Sequence, residues 1–200
     1  MIGYVDLLPV EDLCRRVESG LAAVGFSEQI AKGTYTNPLG QSVHCSYGAP
    51  TGTQWPNSWP AWAVFPIDYA DYEAYGAPLF VSVFRALCRA TTPVLARSFH
   101  PIGVDMINPG ELEGQVDYVD WIQYYGVRVT AALDPGRVRT AGFHHLEEFP
   151  DGAFLAMAKP EYTGDYCNRR AIVERLGLSP RRIMARNPPT GEPTEVNWCL

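Results

Sequence analysis

Four ionisable side chains stand almost side by side in "GFHHLEEFPDGAFLAMAKPEY" (142–162): His144, His145, Glu147 and Glu148. Imidazoles and carboxylates move protons and ligate zinc, so this stretch is the first place to look for chemistry. Its spacing argues against both roles. On a strand, His145 and Glu147 project to one face and His144 and Glu148 to the other, which allows a two-residue chelate per face at most. A zinc site needs three or four ligands, so His44, Cys45 or His100 would have to be brought in, and nothing in the sequence places them there. Cys45 beside His44 fails as a thiolate–imidazolium pair for a similar reason, since neighbours on a strand point apart. The chain has no GxSxG, Walker loop, GxGxxG after a strand or HExxH. The expectation is of no catalytic residue, no metal and no cofactor. A small His/Glu-dependent hydrolase or transferase is the alternative.

The elements that must position these groups follow from periodicity and turn residues. Residues 2–7 suit a short strand. Pro9 then opens a helix over 9–24, with Val10, Leu13, Cys14, Val17, Leu21 and Val24 at helical spacing and Gly25 as its stop. "IAKGTYTNPLGQSVHCSYG" reads as two strands around the turn Asn37–Gly40. The proline- and tryptophan-rich stretch 50–62 reads as a loop packed across the body, "AVFPI" as a strand, and "DYADYEAYGAP" as a polar connection. Pro78 opens a second helix over 78–91, ended by Thr91-Thr92-Pro93. "VLARSF" is a strand and 103–114 a loop. "VDYVDWIQYYGVRVTAAL" alternates, placing Val119, Trp121, Tyr125, Val127 and Val129 on one strand face with Gln123 as the polar interruption. Phe149-Pro150-Asp151-Gly152 supplies a type I turn followed by a left-handed glycine, so 142–158 reads as a hairpin whose apolar second strand lies inside a sheet. A helix over about 165–176 and an extended tail, 179–200, complete the chain. The fold class expected is α+β: a mainly antiparallel sheet with two or three helices packed on it, in a single domain.

Composition sets the remaining bounds. At 200 residues and 46% hydrophobic, the chain can bury one substantial core. A net charge of −6 argues against a general nucleic-acid binder. No run approaches a membrane span, and no basic leader begins the sequence. Five cysteines without a CxxC or metal-ligand spacing suit reduced thiols in a cytoplasmic protein.

Surface chemistry is what remains. From Ser98 to Val127 there are five acids and no base: Asp105, Glu111, Glu113, Asp117 and Asp120. They adjoin Tyr118, Trp121, Tyr124 and Tyr125. A second aromatic region between Trp55 and Tyr75 includes Trp59 and Tyr72. Acids interleaved with aromatic rings make a protein-recognition surface, the rings giving contact area and the charges steering a basic partner. Trp121 and Tyr125 fall on an apolar strand face and read as core. Asp117, Asp120 and Tyr124 read as exposed, so the candidate partner-binding set is Asp105, Glu111, Glu113, Asp117, Asp120, Tyr124, Trp59 and Tyr72.

The order of "VDWIQYYG…ALDPGRV…HLEEFPDGAFLAMAKPEYTGDYCNRRAIVERLGL" resembles bacterial immunity proteins that neutralise polymorphic or type VI-delivered toxins. It is similar in particular to the immunity protein 52 family and its type VI relatives. The shared pattern covers about 78–178: a tryptophan-bearing strand (Trp121), a hairpin whose second strand follows a glycine (Gly152), a short polar link and a closing helix near 163–176. The resemblance implies a cytoplasmic, non-catalytic inhibitor whose partner is a cognate protein toxin, covered at its active site.

Overall fold

A computed structural model describes residues 2–6, 9–47, 58–64, 69–98, 109–158, 167–180, 184–186 and 193–195. Nine of its strands form one sheet: β1 (Ile2–Asp6), β2 (Glu28–Ala31), β3 (Thr34–Thr36), β4 (Ser42–Tyr47), β5 (Ser58–Val64), β6 (Leu95–Arg97), β7 (Ile122–Tyr125), β8 (His145–Glu148) and β9 (Phe154–Met157). Their spatial order is β2-β3-β4-β5-β1-β6-β7-β9-β8, and every neighbouring pair is antiparallel. β10 (Met184–Arg186) and β11 (Pro193–Glu195), within the segment read as an extended tail, pair with each other. The α+β class with a mainly antiparallel sheet is therefore as expected. The helices number five among the described residues rather than two or three: α1 (Val10–Ala22), α2 (Tyr69–Thr91), α3 (Val127–Leu133), α4 (Pro135–Thr140) and α5 (Cys167–Arg175).

Period-two alternation sends neighbouring side chains of the central strands to different layers. On one face Ala96, Ile122, Tyr124, Leu155 and Met157 meet Phe84 and Cys88 of α2. At the other end of that face Leu13, Val17 and Leu21 of α1 and Val83 and Leu87 of α2 close over Tyr35, Val43 and Cys45. On the opposite face Leu95, Tyr125, Phe154 and Ala156 pack under Val129 and Leu133 of α3, Val138 of α4 and Ile172 and Val173 of α5. Helices thus cover both faces at the β6–β9 end. That requires strands apolar on both sides, as "FLAM" of β9 is.

Three readings of the sequence change. The polar connection before Pro78 is helical from Tyr69, and Pro78 lies inside α2. Ala70, Glu73 and Ala74 favour helix, and one lost backbone bond at proline does not outweigh a long packed element. Residues 58–62, read as loop, belong to β5, whose Cα register with β1 and β4 places it inside the sheet. The long alternating strand ends at Tyr125 and becomes α3. Gly126 is the cause: a Cβ there would lie 2.4 Å from the Pro93 carbonyl oxygen and 2.8 Å from that of Val94. Only glycine lets the chain pass so close to the preceding turn and then coil, with the Thr130 hydroxyl donating to the Tyr125 carbonyl at 3.0 Å. Val119 and Tyr125 join one core while Trp121 joins the other, so they do not share a strand face.

Cys14, Cys45 and Cys88 are free thiols. Cys45 is 4% exposed and burial pushes its thiol up to about 12, while Cys88 is 0% exposed and raised for the same reason. Native protein at about pH 8 should therefore label at half-buried Cys14 well before these two, which should react only on unfolding. Timed Ellman titration with peptide mapping checks this, and rapid native labelling of Cys45 would contradict the packing of β4 against α1.

Candidate functional site

β8 and β9 form the expected hairpin, with the Gly152 amide donating to the Phe149 carbonyl at 2.9 Å and Gly152 at φ +90°. Asp151 accepts from the Ala153 amide at 3.0 Å. Strand alternation then sends Glu147 and Glu148 to opposite faces of the sheet, where arginines meet each of them. Glu147 accepts from Arg85 Nε at 2.6 Å and from Arg89 Nη2 at 2.8 Å, both on α2. Glu148 takes a two-pronged contact from Arg139 of α4, at 2.6 and 3.1 Å, which holds its carboxyl below the ordinary range. His144 and His145 are both exposed. The carboxylates tie the edge strand to the two helical layers, and the structure does not bring imidazole and carboxylate together as one acid–base site. Elsewhere, His44 Nδ1 lies 2.9 Å from the Thr34 hydroxyl, while its neighbour Cys45 faces the α1 core.

The acidic segment behaves differently from its sequence reading. Glu111, in a 3-10 turn over Pro109–Glu113, is 1% exposed and meets Arg97 Nη1 of β6 at 3.2 Å. Asp120, expected at the surface, has a side chain only 13% exposed and contacts Arg97 Nε at 3.4 Å. Tyr124, also expected at the surface, is 2% exposed, and its ring meets Phe149 edge-on at 5.4 Å between centroids. For the two acids the physical reason is a hidden cation, whereas Tyr124 is buried because it falls on the face of β7 that α2 covers. Arg97 sits on the α3–α5 face of a strand otherwise apolar, and a buried guanidinium needs carboxylates around it. Tyr118, Gln123 and Arg169 of α5 complete this internal cluster, with Arg169 Nη1 3.4 Å from the Tyr118 hydroxyl and the Asp120 amide donating to Gln123 Oε1 at 2.9 Å. Burial pushes Asp120 up to about 6 against the lowering effect of Arg97 and Arg169, with Glu111 adding to the rise.

Of the candidate contact residues, Glu113 remains exposed, paired with Arg128 of α3 at 3.6 Å, and Asp117 is half-buried. Asp105 lies outside the described residues, as do the side chains of Trp59 on β5 and Tyr72 on α2. A residue the sequence reading placed on a strand joins this surface: Val127, at the start of α3, is 51% exposed and precedes Arg128, the partner of Glu113. Its signal was the glycine before it, which turns the chain outward.

No helix among the described residues is long and apolar enough to cross a membrane, and they contain no group of three or more potential metal ligands. Comparison with family models, curated proteins and solved structures gives no match for this chain.

Proposed function

We propose that this chain is a bacterial immunity protein: it binds a cognate protein toxin in the cytoplasm and blocks it by covering the toxin's active site, without catalysis of its own. Supporting the reading is the order of elements that carries the resemblance. Trp121 leads into β7, the Pro-Asp-Gly hairpin β8–β9 follows α3 and α4, and α5 closes the segment. The observation that carries it is the patch where α3 meets the 3-10 turn. Val127 stands out from the body of the fold, next in sequence to Arg128, which pairs with Glu113, on a base fixed by the packed Val129 and Leu133. An exposed aliphatic side chain beside an ion pair on a packed helix suits a protein contact, the apolar group anchoring and the charges steering.

Co-expression with the toxin encoded beside it should rescue growth, and the two purified chains should form a one-to-one complex. Growth arrest despite the chain, with no complex, would refute the reading. Within that complex, the double substitution Glu113→Lys and Val127→Ser should weaken affinity about tenfold. Its on-rate should also respond less to salt than the wild type's. Folding should be nearly unaffected because both side chains are exposed. Unchanged kinetics at two salt concentrations would remove this patch from the interface.

A further inference from the structure

We propose that the buried cluster of Arg97, Glu111, Asp120 and Arg169 is a proton-sensitive latch that sets how tightly the 3-10 turn and the irregular segment 115–121 are held on the sheet. Residues 115–120 carry no helix or strand of their own, so side chains hold them in place. Val116 and Val119 supply the apolar hold. The polar hold is the cluster, and it ties four parts of the fold: β6 through Arg97, the 3-10 turn through Glu111, the segment itself through Tyr118 and Asp120, and α5 through Arg169.

One guanidinium, Arg97, serves two carboxylates, at 3.2 Å to Glu111 and 3.4 Å to Asp120. Its Cζ also lies 5.9 Å from the Tyr118 ring centroid. Such a shared site has two self-consistent arrangements: both acids ionised around the cation, or one neutral while the guanidinium serves the other. Burial favours the second, because the Glu111 side chain is 1% and the Asp120 side chain 13% exposed, so little water is left to solvate two carboxylates held close together. The groups acting on Asp120 are Arg97 of β6, Arg169 of α5, Glu111 of the 3-10 turn and, with a smaller lowering effect, the chain's amino group.

The direction follows from the raised value, about 6 in the fold against 3.8 for a free aspartate. Local opening returns Asp120 to water and its ordinary value. Opening is therefore hardest when Asp120 is protonated, and the latch loosens as pH rises through about 6, the reverse of ordinary acid unfolding. The device acts on segment 115–121 whether or not the partner is the one proposed above.

Hydrogen exchange of the full chain, corrected for intrinsic exchange, should show amides of 115–121 about tenfold better protected near pH 5 than near pH 7.5. In Asp120→Asn that ratio should collapse towards one. Should the variant fail to fold, carbon-13 titration of the wild-type carboxyl signals decides: Asp120 must titrate in step with the amide changes. Equal wild-type protection at both pH values, a ratio retained in Asp120→Asn, or an Asp120 carboxyl titrating in the ordinary aspartate range would each overturn the proposal.

Discussion

Replacing Arg97 with methionine should cost about 3–5 kcal/mol of stability at neutral pH, among the largest losses any single change in this chain can produce. The methionine fills much of the same volume, so the loss is electrostatic. It takes the Arg97 guanidinium away from Glu111, 1% exposed, and Asp120, 13% exposed in its side chain, and leaves Arg169 as the other cation of the cluster. The size of the loss measures truncation, since the intact cluster also bears the desolvation of its four charges. Its net worth is small, and the triple replacement Arg97→Met, Glu111→Leu, Asp120→Asn should recover most of what the single change loses. The deficit should also shrink on acidification, because without the lowering effect of Arg97 the folded Asp120 carboxyl is held above the value of about 6 it has in the intact cluster and takes up its proton sooner. Urea melts of the three proteins at pH 5 and 7.5 check both statements. A loss within about 1 kcal/mol for Arg97→Met would mean that water reaches the cluster.

The cluster also marks where the sequence stops being legible. A charge count along 98–127 finds five acids and no base, which reads as a surface. The cation that internalises two of them sits on β6, 14 residues before Glu111, on a strand whose other described residues are apolar. Local charge patterning cannot register a partner brought in by sheet pairing. Where order is set locally, the reading holds: Pro9, the spacing of Leu13, Val17 and Leu21 and the stop at Gly25 describe α1, and Pro150-Asp151-Gly152 describes the β8–β9 turn. It fails at "GVRVTAAL", where β-branched residues in alternation suggest strand. There a tertiary close approach at Gly126, invisible to period counting, makes the helix. The histidine–glutamate stretch was half legible. Its two-faced geometry follows from the strand, but that Arg85, Arg89 and Arg139 wait on those faces does not.

Leu155→Ala should destabilise the fold by about 2–5 kcal/mol, whereas His145→Ala, ten residues earlier in the same hairpin, should change stability by no more than about 0.5 kcal/mol. The contrast follows from which strand of the hairpin is interior. β9 lies between β7 and β8, and Leu155 is 0% exposed, with its Cα opposite Tyr124 on one side and Glu147 on the other. It shares a cluster with Phe84 and Cys88 of α2 and with Ile122 and Tyr124, so truncation opens a cavity that rigid strands on both sides cannot close. His145 begins the edge strand with its side chain in solvent and makes no ion pair among the described residues. If the hairpin serves as scaffold, the loss tracks burial and ignores the imidazole, and partner binding survives His145→Ala intact. Thermal and urea melts of both variants, with binding measured on each, separate the cases. A stoichiometric metal lost on His145→Ala, or a binding defect in that variant without a stability defect, would return the hairpin to the list of functional sites.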